Sequence, residues 1–378
     1  MASPSIMFVA GDPSGDKHAS CIIKRLKIEY PQSNIWGIGG PDMQSAGMHC
    51  LLPFEKFNKM GFFEVALHIT FFLNAKKYLL NEIKRNRPDC VVCVDYPGFN
   101  MELLKTVSSM NIPVIWYIAP MVWAWKQKRA EILAQRAAHI ACIFPFEVNY
   151  FKPFTSNVSF VGNPLVEAMN SEKLPPAKYC SKPKRIALVP GSRKQEIRHL
   201  LKPMIDSFTI LKSRYPDLTA EISQCPYLSN EEFQKFTGGS DLKCFKGPLR
   251  ELYARSDLAI VTSGTATLEA ALMGVPHVIA YKTSPLNYRI FKYFLKIPFI
   301  GLPNIISQEM VVPECIQEHS SAKSIADTVE NFLKDDSYYK ITASRLVRLK
   351  NHLGAFKPSE EMVKIIADNI TTAPQQKR

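Results

Sequence analysis

Short apolar runs rich in β-branched residues alternate with longer helical patterns along nearly the whole chain, and they do so in two series. Runs at 6–10, 90–94, 113–118 and 139–143 make the first, and runs at 185–189, 219–223, 257–261 and 277–281 make the second. This alternation marks βα units wound around parallel sheets, because a strand buried on both faces needs helices to cover it. Between the series, 163–184 carries Pro164, Pro175, Pro176 and Pro183 among Lys173, Lys178, Lys182 and Lys184, with little apolar periodicity. Such a stretch reads as a connection between domains. The expected fold class is therefore α/β, with two Rossmann-like parallel-sheet domains facing a cleft. Domain one covers 1–165, the linker 166–184, domain two 185–350, and a C-terminal helix and tail 351–378. A chain of 378 residues has room for two such domains at roughly 150 residues each. Ligands of open parallel sheets bind at the carboxyl ends of the strands, so the turns after those runs are the places to search.

Charge narrows the partners. Lys and Arg number 47 against 34 Asp and Glu, a net +13 that predicts attraction to phosphate-bearing molecules or surfaces. Nine cysteines at irregular spacing in a chain this long argue for a reducing compartment, hence the cytoplasm. The opening Met-Ala-Ser-Pro-Ser-Ile-Met-Phe-Val-Ala-Gly has no basic leader and predicts no signal peptide. The apolar stretches 62–73 and 112–125 are broken by His68 and Thr70 or by Pro113 and Pro120, so membrane contact is expected to be peripheral.

Four turns could carry chemistry. Gly11-Asp12-Pro13-Ser14-Gly15-Asp16 follows the first run and precedes an amphipathic helix. Its small residues would let a hydroxyl-rich ligand reach a helix N-terminus, and the same residues would equally make a βα turn capped by Asp. The run 90–94 ends in Asp95, placed to accept a proton from an attacking hydroxyl or simply to open a Pro-Gly turn. Cys90 and Cys93 form a CxxC, but three residues apart in a strand they point to opposite faces and read as core thiols. In the second series, Gly191-Ser192-Arg193 and Ser263-Gly264-Thr265 each put small polar residues and amides at a helix start. Together with the Arg193 guanidinium they resemble a diphosphate cradle. Glu269, one turn beyond Thr265, is placed to hold ribose hydroxyls or to be a solvated helix carboxylate.

The helical pattern over 60–83 has a core stripe and a second flank, Phe63, Leu67 and Phe71, followed by Lys76, Lys77, Lys84, Arg85 and Arg87. The flank fits an acyl-chain or membrane contact, or a helix buried on two sides. A similar basic and aromatic stretch runs over 286–299. Bulky apolar stripes do not help phosphate-backbone binding, so an anionic membrane surface is favoured over nucleic acid. No two of the eight histidines lie within five residues of each other, and Asp-x-Asp, GxSxG and GxxxxGK[ST] are all missing. No metal site, serine hydrolase or P-loop is expected, and no cofactor.

The motifs fall into a known order. Gly11 to Asp16, Met60-Gly61-Phe62-Phe63-Glu64-Val65, Asp95-Tyr96-Pro97-Gly98-Phe99-Asn100 and Val122-Trp123-Ala124-Trp125-Lys126 come first. Leu188 to Arg193, Ser263 to Glu269 and Leu302-Pro303-Asn304 follow. This series resembles that of the bacterial lipid-A-disaccharide synthases, from about residue 5 to residue 355. The resemblance implies a GT-B glycosyltransferase joining UDP-2,3-diacylglucosamine to 2,3-diacylglucosamine 1-phosphate (lipid X), forming a β-1′,6 disaccharide and UDP. It implies acyl-bearing sugars on the first domain, at Gly11, Asp12, Ser14, Gly15 and Asp16, and UDP on the second. There Gly191, Ser192, Arg193, Ser263, Gly264, Thr265, Glu269 and Asn304 would hold it. Asp95 would be the base, with Asp12 or Asp16 in reserve, and Arg193 would neutralise the leaving diphosphate. The implied setting is the cytoplasmic surface of the inner membrane, and the implied assembly a homodimer.

Three motifs depart from the family pattern. Asp12 stands where Glu is usual, Ala119-Pro120-Met121 replaces Ser-Pro-Ser, and Gly162-Asn163-Pro164 replaces Gly-His-Pro. Two rivals stay open. One is another GT-B UDP-sugar enzyme, epimerase-like or with a different acceptor, and the other is a non-catalytic surface binder.

Overall fold

The computed structural model describes residues 3–54, 57, 69–120, 127–171, 180, 182–225, 228–284, 288 and 298–372. The chain divides into two compact units, Met1–Glu167 with Ala355–Arg378, and Ala168–Gly354.

The first unit is built on a seven-stranded sheet. Its strands are β1 (Ser5–Ala10), β2 (Asn34–Gly39), β3 (His49–Pro53), β4 (Cys90–Val94), β5 (Val114–Tyr117), β6 (His139–Cys142) and β7 (Val158–Phe160). The order is β3-β2-β1-β4-β5-β6-β7, and every pairing is parallel. The chain winds one way from β1 and then crosses to the other side at β4, which puts a switch point between them.

Residue alternation sends each strand into two cores. Ile6, Phe8 and Ala10 join Cys90, Val92 and Val94 under the helices Pro13–Glu29 and Pro358–Thr372. Met7 and Val9 join Val91 and Cys93 under Ile69–Asn86, Pro97–Val107 and Gln127–Arg136. Cys90 and Cys93 thus lie in different cores, as their spacing requires, and burial pushes the Cys93 thiol up to about 12.

The second unit has a six-stranded parallel sheet. Its strands are β8 (Arg185–Val189), β9 (Thr219–Ser223), β10 (Lys243–Phe245), β11 (Leu258–Thr262), β12 (His277–Tyr281) and β13 (Glu314–Ile316), in the order β10-β9-β8-β11-β12-β13. Ile186, Leu188, Ile260, Val278 and Ala280 pack beneath Lys194–Arg214 and Ala322–Lys334. Here the switch point lies between β8 and β11.

The two-sheet α/β expectation is met, with five strands the sequence reading did not name. β3, β7, β10 and β13 are short or polar edge pieces, and in β2 glycines at 37 and 39 erase the apolar alternation. The expected linker begins as a helix, Pro164–Ser171, and 172–179 lie outside the described residues. Its cap is Asn163, whose Oδ1 accepts from Leu165 N at 3.0 Å. The C-terminal pattern resolves into Asp336–Leu353 and Pro358–Thr372. The latter buries Met362, Val363 and Ile366 in the first unit. Among the described residues no helix is long and apolar enough to cross a membrane.

Candidate active site

At the first switch point β4 delivers Asp95 directly beside the turn after β1. Asp95 and Tyr96 both take left-handed backbone, φ 43° and 48°, a conformation costing non-glycine residues on the order of 1–3 kcal/mol each. Buried hydrogen bonds hold it. Asp95 N donates to Tyr117 O at 2.9 Å, and the fully buried Asn100 donates through Nδ2 to Asp95 O at 2.8 Å. The same Nδ2 reaches Val94 O and Val9 O at 3.3 Å, tying the ends of β1 and β4 together. Burial first, and the charge of Asp12 second, push the Asp95 carboxyl up to about 6, against a weaker opposing hydrogen bond from the Tyr96 backbone. A carboxyl near neutrality at a strand end is suited to taking a hydroxyl proton.

The rest of the Gly11–Asp16 turn is differently employed than expected. Asp12 caps the helix Pro13–Glu29, its Oδ1 accepting from Gly15 N at 2.6 Å. Asp16 is 2% exposed and accepts from three amides, Gly40 N (2.7 Å), Asp42 N (3.1 Å) and Met43 N (3.1 Å). That network anchors the short helix Pro41–Ser45 and engages both Asp16 oxygens, a bracing role where the sequence suggested a reserve base or a sugar ligand. Gly11 makes room for the Tyr96 ring, since a Cβ there would overlap the ring carbons. The Tyr96 hydroxyl donates to Phe57 O at 3.2 Å. Ser14 is exposed and its Oγ pairs with His18 Nε2 at 3.2 Å, while Gly15 is buried against Ala10 and Val94.

The second switch point carries the loop after β8. Arg193 opens the helix Lys194–Arg214 with its side chain 83% exposed. The Ser192 and Arg193 amides, both expected to face a diphosphate, donate to Glu196 Oε2 at 3.2 Å each. Gly191, at φ +100°, leaves the space that this carboxylate fills. After β11, Gly264 (φ +149°) and Thr265 are exposed at the start of Thr265–Leu272, a helix without a side-chain cap. Ser263 Oγ donates to Ile300 O at 3.1 Å. Glu269 sits one turn on, half-buried, and its charge adds to the burial that raises the Tyr253 hydroxyl. Tyr281, ending β12, is raised by burial first and then by Glu196, with Arg193 opposing, so it stands within electrostatic reach of both.

Asn304, expected at the nucleotide, spends its hydrogen bonds inside the fold. It is fully buried, its Nδ2 donating to Val312 O and Glu314 Oε1 at 2.8 Å. Its Oδ1 accepts from Val311 N (2.8 Å) and Val312 N (3.0 Å), so a ligand would have to break one of these bonds.

Of the apolar flank, Phe63 and Leu67 lie outside the described residues. Phe71 packs edge-on against Phe57 (5.2 Å) and Phe72 (5.7 Å), so it belongs to the core margin. Among the described side chains of that helix, the exposed large apolar ones are Leu73 and Tyr78, beside exposed Lys77, Lys84 and Arg85. The motifs over 60–65 and 122–126, with Met121, and nearly all of 286–299 also lie outside the described residues.

Sequence reasoning gave no role to Asn100 or Glu196. Asn100 has the signals of a place at the end of the Asp95–Asn100 motif and of a polar residue on the apolar helix Pro97–Val107. Glu196 has the spacing of a helix-start carboxylate, hidden because Arg occupies the preceding cap position.

The sequence profile described as lipid-A-disaccharide synthetase matches residues 6–366. The lipid-A-disaccharide synthase of Geobacter sulfurreducens is 35% identical over 378 residues, covering 97% of each chain. Among solved structures, a UDP-N-acetylglucosamine 2-epimerase of Listeria monocytogenes superposes with TM-score 0.66 at 11% identity, over 98% of this chain and 97% of that one. The calicheamicin glycosyltransferase CalG4 gives 0.65 at 14% identity, over 99% and 100%. At those identities the superpositions establish the GT-B fold and nothing of the chemistry.

Proposed function

The chain belongs to the lipid-A-disaccharide synthetase family, and from that premise we propose how its residues divide the work of the reaction. It is a glycosyltransferase of lipid A biosynthesis that uses a UDP-sugar and lipid substrates. The reaction is transfer of 2,3-diacylglucosamine from UDP to the 6-hydroxyl of 2,3-diacylglucosamine 1-phosphate, with inversion to a β-1′,6 linkage.

Asp95 takes the proton of the acceptor hydroxyl as its oxygen bonds to the anomeric carbon. The bond from that carbon to the diphosphate oxygen breaks, and its electron pair leaves with UDP. The transition state has oxocarbenium character, so two needs dominate, a base on one side and charge neutralisation on the other. Arg193 and the uncapped helix start at Gly264–Thr265 meet the second, and Glu269 holds the ribose. Asp12 contributes through its charge, which keeps the Asp95 carboxyl near neutrality.

The observation that carries this reading is the carboxyl of Asp95, raised to about 6 at the switch point of the first sheet, in a chain that matches the family from residue 6 to residue 366. The exposed Leu73 and Tyr78 amid Lys77, Lys84 and Arg85 support a peripheral contact with an anionic leaflet, on the cytoplasmic side of the inner membrane. Incubation with UDP-2,3-diacylglucosamine and lipid X tests the whole. A product with the mass of the disaccharide 1-phosphate, formed in step with UDP, is expected. Turnover of UDP-N-acetylglucosamine without any lipid acceptor would overturn the assignment.

A further inference from the structure

The carboxylate of Glu196 occupies the amides that the sequence pattern assigns to a donor diphosphate. Its Oε2 accepts the Ser192 and Arg193 amides at 3.2 Å, and its Oε1 lies 3.5 Å from Arg193 Nη1. Gly191 supplies the room, because a side chain there would collide with Oε2. The amides and the guanidinium of this loop thus already face one internal anion. The contact exceeds what a helix cap requires. A capping glutamate bonds the cap residue's amide, whereas this one also takes the Ser192 amide and approaches the guanidinium. At 3.2 Å both amide contacts sit at the long end of the usual N–H···O range of about 2.7–3.2 Å. Two anions cannot share one pair of amides without strong repulsion.

We propose that Glu196 is an internal stand-in for the diphosphate, holding the Ser192–Arg193 loop in order when no donor is bound and giving up its place to the donor. The inference rests on the reading that the second unit binds UDP. Glu196 projects from the first turn of its helix, so side-chain rotation alone clears the seat and the backbone stays put. On the product side, its return competes with UDP for the same donors and speeds release. Glu196 is in these terms a positioning residue that sets nucleotide affinity at both ends of the cycle.

Calorimetric titration of UDP and of uridine into the wild type, Glu196→Gln and Glu196→Ala provides the test. Glu196→Gln keeps the shape of the side chain and removes its charge, so it serves even where Glu196→Ala weakens the fold. UDP is expected to bind both variants about tenfold more tightly, roughly 1.4 kcal/mol. Uridine, which has no phosphate, should bind unchanged. In turnover the donor KM should fall and kcat should fall with it, as UDP leaves more slowly. Unchanged or weaker UDP binding in both folded variants would overturn the inference while leaving the donor site standing. Wild-type protein that binds no UDP, or binds it as well after Arg193→Ala, would remove the donor site itself and this inference together.

Discussion

Asp95 and Asp12 close the two strands that flank the switch point of the first sheet, and the charge of one helps hold the other near neutrality. Burial is the larger cause, the Asp12 charge the second, and together they bring Asp95 to about 6. The wild-type rate should therefore fall as pH drops through about 6, where the base becomes protonated. Asp95→Asn should lose about 10²–10⁴ in kcat. Asp12→Asn should move the acid limb of the profile to lower pH, because it removes one of the two causes of the shift. A profile unchanged in Asp12→Asn would refute the coupling.

The same shift has a sign in stability. A carboxyl whose folded pKa lies above its unfolded value of about 3.8 stabilises the fold below that value, and the benefit is lost as pH rises through about 6. The loss is on the order of 3 kcal/mol. Asp95→Asn should accordingly raise the melting temperature at pH 8 relative to wild type, and raise it much less at pH 4. Melting curves at the two pH values decide it.

Asp16 should prove structural. Asp16→Ala strands three amides of the Gly40–Met43 turn and should cost about 2–4 kcal/mol, read as a lowered melting temperature. Its activity per folded molecule should stay within a few-fold of wild type, whereas a sugar-binding role would show as a large rise in acceptor KM.

Gly11→Ala drives a methyl group into the Tyr96 ring. The ring is next to Asp95, so we expect a loss of kcat along with stability. In a Tyr96→Ala background the Gly11→Ala penalty should shrink, by a coupling of about 0.5–3 kcal/mol. Additive losses would mean that the two residues do not touch.

Arg193→Ala should lower kcat by about 10²–10³, the effect of removing one donor to a developing anion. Arg193→Lys should recover only part of it, because an ammonium cannot fork onto two phosphate oxygens. Steady-state kinetics with saturating donor makes the comparison.

Much of this was legible beforehand because it is local. A run such as Ile6-Met7-Phe8-Val9-Ala10 can only be a strand buried on both sides, and a turn of Gly, Ser, Asp and Pro after it can only be the βα connection at the sheet edge. The sequence by itself therefore determined two wound sheets, the turns that form their edges, and Asp95 and Arg193 as residues at those edges.

Tertiary structure alone decided what those residues face. Asp16 was indistinguishable from Asp12 until the fold brought Gly40, Asp42 and Met43 onto its oxygens. Asn304 reads as a ligand contact in the chain, and as a saturated brace once Val311, Val312 and Glu314 surround it. The value near 6 at Asp95 likewise follows from burial and from a charge far upstream. Secondary structure is fixed by short-range periodicity, but hydrogen-bond partners and solvation are set by residues that only folding makes neighbours.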